Sequence, residues 1–216
     1  MNPSPDTFNL IIGLALVGLV PFIVVMATSF VKIAVVFSLL RNALGVQQIP
    51  PNMALYGLAV ILTLYIMAPV GFQIVEYVQK NNVTIENKSS FEGFINEGLD
   101  SYRGFLQRQI RDPQRVFFLE TAKELWPEDF SSRLEEDSLF VLLPAFTVSE
   151  LTRAFEIGFL IYLPFIVIDL IVSNILLAMG MMMVSPMTIS LPFKLLLFVL
   201  LDGWTKLTQG LVLSYN

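Results

Sequence analysis

The sequence predicts an all-α membrane protein: two long apolar helical hairpins separated by a small polar helical insertion. Three observations carry this. Of 216 residues, 55% are hydrophobic and 14% charged, with a mean hydropathy of +0.71, which is bilayer-protein composition. The apolar residues fall into long runs at the two ends of the chain. The charge falls between them: residues 76–137 hold 13 acidic and 8 basic side chains, which accounts for the whole net charge of −5. Three segments follow: an apolar hairpin at 1–75, a polar insertion at 76–138 and a second hairpin at 139–216.

The first apolar run, Phe8 to Leu40, contains 33 residues interrupted only by Lys32. As one helix it would be about 50 Å long against about 30 Å of hydrocarbon. It therefore tilts and protrudes, or bends at Pro21. The start MNPSPDTFNL lacks a basic region, and the run after it is too long for a signal peptide, so it is read as retained. The second run, Met53 to Val75, is 23 residues without a charge and is an ordinary transmembrane candidate. Lys32 and Arg41 flank the first connection, which places it in the cytoplasm and puts the insertion and both termini outside.

Within the insertion, Ser89 and Glu92 offer a capping box. Phe91, Phe94, Ile95, Leu99, Tyr102, Leu106 and Ile110 then recur at spacings of three and four, predicting one amphipathic helix to Arg111. Asp112-Pro113 starts another, with Asp as cap and Pro in the first turn, and Pro127 ends it after Trp126.

The last segment is anomalous. Glu150 to Trp204 is almost continuously apolar yet carries Glu150, Arg153, Glu156, Asp169, Lys194 and Asp202. Each charge at mid-bilayer depth costs about 2.5–3.5 kcal/mol, so these need protein partners. Gly180, Pro186 and Pro192 break the apolar windows, predicting a hairpin that turns around Met183–Pro186. Hydropathy over the whole chain gives four spans.

Glu150, Arg153 and Glu156 stand at i, i+3 and i+6. On an exposed helix such a ladder contributes only a few tenths of a kcal/mol per pair. Between apolar flanks it reads instead as pairing across packed helices, with Lys32 and Lys194 the leading compensating cations. Removing one partner of a buried pair costs about 3–5 kcal/mol, so such pairs fix register. Asp169 and Asp202 suggest proton transfer or aspartyl proteolysis, but Asp169 sits in IVIDLIV without the glycine such proteases place beside it. The absence of cysteine and histidine removes thiol nucleophiles, disulfides, most zinc sites and the commonest general base. No catalysis, cofactor or metal is expected. No basic stripe exists to meet nucleic acid.

Met181, Met182 and Met183 lie between the helix breakers Gly180 and Pro186. Methionine commonly fills irregular core gaps. These three fan over about 200° if helical, so they cannot line one surface in that state. Non-helical backbone at membrane depth is tolerated only when buried or lining a cavity. The alternative reading is thus a deformable constriction around a passing chain.

The strings ELTRAFEIGF at 150–159, LPFIVIDLIV at 163–172, GMMMVSP at 180–186 and ISLPFKLLLFVLLDGW at 189–204 resemble the FliP/SctR/SpaP family of type III secretion export gates. TSFVKIAVVFSLLRNALGVQQIPPN at 28–52 is similar to that family's first hairpin. The short insertion and retained start look more like the virulence branch than the flagellar one. The resemblance implies a homopentameric ring within a helical hetero-oligomeric cone, five copies joining four of one small subunit and one of another around a closed channel. It implies a location in the bacterial inner membrane, the insertion facing the periplasm and the finished complex largely above the bilayer plane. Unfolded substrates would pass after delivery by a cytoplasmic export-gate subunit, with inner rod or needle proteins and membrane lipid as further partners. Met181, Met182 and Met183 would form the methionine gasket, and the charges at Glu150 and Lys194 would join neighbouring subunits. Val184-Ser185-Pro186 stands where many members have Val-Pro-Pro, which leaves the turn geometry open. From a different class, a secondary transporter or proton channel using the intramembrane carboxylates is the alternative.

Overall fold

The computed structural model describes residues 11, 13–15, 18, 21–22, 24–46, 48–83 and 88–216. The start expected to be retained, residues 1–10, lies outside them. All regular structure among the described residues is helical: α1 Phe30–Leu44, α2 Asn52–Lys80, α3 Lys88–Gly93, a π-helical turn Phe94–Gly98, α4 Asp100–Gln109, α5 Asp112–Leu125, α6 Glu128–Ser131, α7 Leu139–Ala178, α8 Pro186–Leu200 and α9 Gly203–Leu213. Helix α2 continues past Val75 to Lys80.

The described residues between 11 and 26 are helical, Pro21 included, and the chain leaves the helix at residues 27–29 rather than at Pro21. The cause is visible in the hydrogen bonds. Tyr102 donates its hydroxyl to the Ala27 carbonyl at 2.7 Å, and Thr147 donates to the Met26 carbonyl at 3.0 Å. Side chains from the insertion and from α7 thus satisfy the carbonyls that the break exposes. Burial raises the Tyr102 phenol above its usual range, which keeps it a donor.

The Ser89–Glu92 capping box borders residues 84–87, which lie outside the described residues. One further expectation is corrected. The helix drawn to Arg111 is interrupted by the π turn at Phe94–Gly98. Gly98 permits this: a Cβ there would lie 2.6 Å from the Phe94 ring and 2.8 Å from the Tyr77 ring. An extra residue rotates the downstream face by about 100°. Phe91 and Ile95 consequently face outward, while Phe105, absent from the expected stripe, is buried beside Leu106. The second insertion helix begins at Asp112 itself, one residue before the expected first helical position, and ends at Leu125 before Trp126-Pro127.

Helix α7 is the spine. Its 40 residues extend about 60 Å, roughly twice the hydrocarbon thickness of a bilayer. Helices α1, α4, α5 and α8 pack along it. Ala154 and Gly158, four residues apart, give α7 a face of small, buried residues. Small residues let helix backbones approach closely, and α1 uses this face. Ile33 and Phe37 of α1 share one core cluster with Leu55, Ala59, Ala154 and Leu211. Phe105 and Leu106 join Val70, Leu142 and Phe146 in a second.

Helices α2 and α7 are long and apolar enough to span a membrane. A third span exists if α8 and α9, bent by 60°, count as one. The first expected span, Phe8 to Leu40, falls in part on residues outside those described. The bend follows Leu201, where Asp202 adopts a left-handed conformation (φ 52°), and Trp204 packs edge-on against Phe198 and Phe37. Only 17% of the most apolar window of α2, and of α7, is buried within the chain. Lipid or other subunits must cover the rest.

Gly158 tests the close approach. A Cβ there would overlap the Leu39 side chain, whose own Cβ would be only 3.1 Å away. Rotating the leucine cannot remove the second contact, so Gly158→Ala should destabilise by about 1–3 kcal/mol. Gly57→Ala, with nothing within 4 Å of the new Cβ, should not. Thermal unfolding of both variants in one detergent checks this.

Candidate functional site

Two charged nodes and one loop bring together the residues singled out in the sequence. The first node lies where α1 crosses α7. Lys32 and Glu150 are both fully buried, with Nζ 3.4 Å from Oε1. Tyr215, the second-last residue, closes the pair. Its hydroxyl donates to Glu150 Oε2, and its ring centre lies 3.5 Å from Lys32 Nζ as a cation–π contact. The same ring stacks on Phe105 of the insertion at 6.0 Å. Arg153, one turn along α7, reaches Glu150 at 3.6 Å and donates to Gln109 at 2.8 Å. One carboxylate therefore meets two cations and a phenol. Beside it, Ser29 Oγ is buried without a hydrogen-bond partner.

Glu156 stands apart from this node. It binds Arg111 at the insertion's helix junction through both carboxylate oxygens. That hydrogen bonding raises the Arg111 guanidinium pKa further above its usual range. The pair is largely exposed, so its contribution to stability is small.

The second node joins the hairpin arms. Lys194 of α8 is buried and meets Asp169 of α7 at 2.6 Å. Ser190, one turn earlier on α8, donates to the other Asp169 oxygen at 2.6 Å. Lys194 also donates to the Ala43 carbonyl at 3.2 Å, where α1 ends in the left-handed Gly45. A cation at a helix C-terminus satisfies an orphan carbonyl and opposes the helix dipole. Lys194 and Glu150 are thus each paired inside the chain, with different partners. Asp202 accepts from Thr205 at 3.0 Å at the start of α9.

The methionine loop follows α7. Gly180 is left-handed (φ 76°); its N–H bonds the Leu177 carbonyl at 3.0 Å, and the Met181 N–H bonds the Leu176 carbonyl at 2.9 Å. This is a Schellman motif, which explains why glycine stands there. Pro186 opens α8 in the position where its missing N–H costs nothing. Met181, Met182 and Met183 lie between these two signals, outside any helix and at the surface. Next to the loop, Ile168, Ile171, Val172, Ile175, Leu176, Met179, Ile189 and Phe193 line a wholly apolar groove between α7 and α8. No cluster of three or more metal-ligating side chains occurs among the described residues.

Sequence reasoning missed Tyr215 and Gln109. Nothing local marks either one, since Tyr215 is separated from Lys32 by almost the entire chain.

The first node makes a quantitative prediction. Lys32→Met leaves Glu150 buried without its lysine, and should cost about 3–5 kcal/mol. Combining it with Glu150→Leu should recover most of that loss, because no charge remains to be neutralised. Tyr215→Phe keeps the ring but removes the donor, and should cost about 1–3 kcal/mol. Thermal melts of the four proteins in one detergent provide the comparison.

Against known proteins, the model of the FliP family matches residues 13–211. The chain is 72% identical to the Yop proteins translocation protein R of Yersinia pestis over 216 residues, all of both chains. It is 53% identical over 213 residues to the virulence protein YscR of Salmonella typhimurium, covering 98% of this chain and 99% of that one. With the hypersensitivity response secretion protein HrcR of Ralstonia nicotianae it shares 46% identity over 210 residues, 96% and 97% of the two chains. The family match and these near-full-length identities agree with the helical architecture: the chain belongs to the FliP family.

Proposed function

We propose that this chain is a non-enzymatic subunit of a bacterial type III secretion export apparatus in the inner membrane. The observation that carries it is identity of 72% over the whole length with a protein named for translocation of Yop proteins. Relatives named for harpin secretion and virulence support the same process. The long apolar helices α2 and α7 support a membrane location.

The finer reading is a core subunit of the closed channel through which unfolded effector or needle proteins cross. Five copies would form a ring with the two small export-gate subunits, four of one and one of the other. The cytoplasmic export-gate subunit and the inner rod would complete its surroundings, with the insertion periplasmic. Three features support this. The faces of α2 and α7 left uncovered need neighbours. A spine of about 60 Å exceeds a bilayer, as expected of a subunit standing largely above the bilayer plane. The exposed Met181–Met183 loop is deformable and apolar, as a seal around a moving chain requires.

The charges refine how subunits would join. Lys32, Glu150 and Lys194 are buried and paired within the chain, so using them between copies requires exchanging partners. Arg153 and Glu156 keep part of their side chains at the surface and can reach a neighbour without that exchange. Proton conduction is less well supported: Asp169 is held by Lys194 and Ser190, a poor arrangement for a proton relay.

Replacing Met181, Met182 and Met183 together by alanine should make the assembled complex leak ions, with assembly retained. Conductance of reconstituted bilayers reads this, and an unchanged tight membrane would return the methionines to simple packing. The mass of the purified complex tests the ring; a monomer or dimer is incompatible with it.

A further inference from the structure

We propose that the methionine loop is an oxidation site for hydroperoxides, and that its sulfoxides open the seal. The second half of this proposal rests on the seal reading above; the first does not. Five of the nine methionines lie within residues 179–187. Met182 is 82% exposed and Met183 fully exposed, while Met179, Met181 and Met187 are each about half exposed. Met53, at 85%, is as exposed as Met182 but stands alone at the start of α2, whereas Met67 packs against the cluster formed by Val70, Phe105 and Phe146.

The chain has no cysteine, so no thiol competes for the oxidant and thioethers are its only sulfur. The chemistry needs only the peroxide. A thioether lone pair attacks one peroxide oxygen, the O–O bond breaks, and the second oxygen leaves as water or an alcohol after taking up a proton. Sulfur is oxidised by two electrons and the peroxide is reduced by two.

The local structure makes the product consequential. Met182 and Met183 contribute no side chain to a helix or core, so gaining an oxygen disrupts no packing in this chain. What changes is the loop's surface. Each flexible apolar side chain becomes polar and chiral. An apolar constriction excludes water and ions only while its lining stays apolar. The Schellman turn at Gly180 and the proline at 186 hold the loop ends in place, so the chemical change is confined to the lining.

The test uses the full chain in its assembled complex and hydrogen peroxide as the probe. After a brief exposure, peptide mass mapping should show Met182 and Met183 gaining oxygen at least about 10-fold faster than Met67. In reconstituted bilayers the oxidised complex should conduct, and enzymatic reduction of its methionine sulfoxides should close it again. Equal oxidation rates at Met67 and the loop would overturn the site. If the alanine replacement leaks but the oxidised complex stays tight, the oxidation proposal falls while the seal reading stands. If neither leaks, the seal reading itself fails and takes the consequence with it. Conduction that persists after the sulfoxides have been reduced would place the sensitive group elsewhere and also overturn the proposal.

Discussion

Glu150 is a carboxylate with no access to water, and the architecture around it is organised by that fact. A buried ion is tolerated only when opposite charge and hydrogen bonds replace its hydration. Lys32 supplies charge from α1, Arg153 from the next turn of α7, and Tyr215 a hydrogen bond from the chain's end. Satisfying one residue thus requires three separate segments to meet at one depth. The apolar clusters around it are less selective, because leucine and valine faces pack in many registers. The Lys194–Asp169 pair repeats the device along α7 and fastens the return arm of the hairpin, while its ammonium also closes the end of α1. Two ionic contacts therefore index three helices along one spine.

This arrangement suits a chain whose helices have more than one kind of neighbour. In a bilayer, apolar side chains gain little by leaving lipid for protein, so close packing and polar contacts must do the joining. The small-residue face of α7 and the charged nodes provide both. The exposed apolar faces of α2, α7 and α8 remain available for lipid or for further subunits.

Much of this was legible in the residues. The helical class, the loop between Gly180 and Pro186 and the demand that the charges find partners all follow from composition and local chemistry. Gly180 and Pro186 could be read because each acts within a turn of itself. Three features could not. The break at 27–29 depends on Tyr102 and Thr147, which are distant in sequence. The π turn depends on Tyr77 filling the space beside Gly98, and it shifted Phe105 from an unremarked position into the core. The partner of each buried charge depends on which helices cross, and spacing alone left Lys32 and Lys194 interchangeable. Long-range geometry, not local propensity, decided each case.

Tyr215 gives the node a temporal order. Chains emerge from the ribosome N-terminus first, at about 5–20 residues per second. Lys32 is made early and Glu150 more than a hundred residues later. The phenol that completes their coordination follows Glu150 by a further 65 residues. The central pair can therefore be fully satisfied only once the chain beyond α9 has been made. Until then the chain carries an incompletely solvated carboxylate through insertion, the interval in which a chaperone or a neighbouring subunit has most to offer it. A chain truncated just before Tyr215 would retain every helix described here and still lack this fastening.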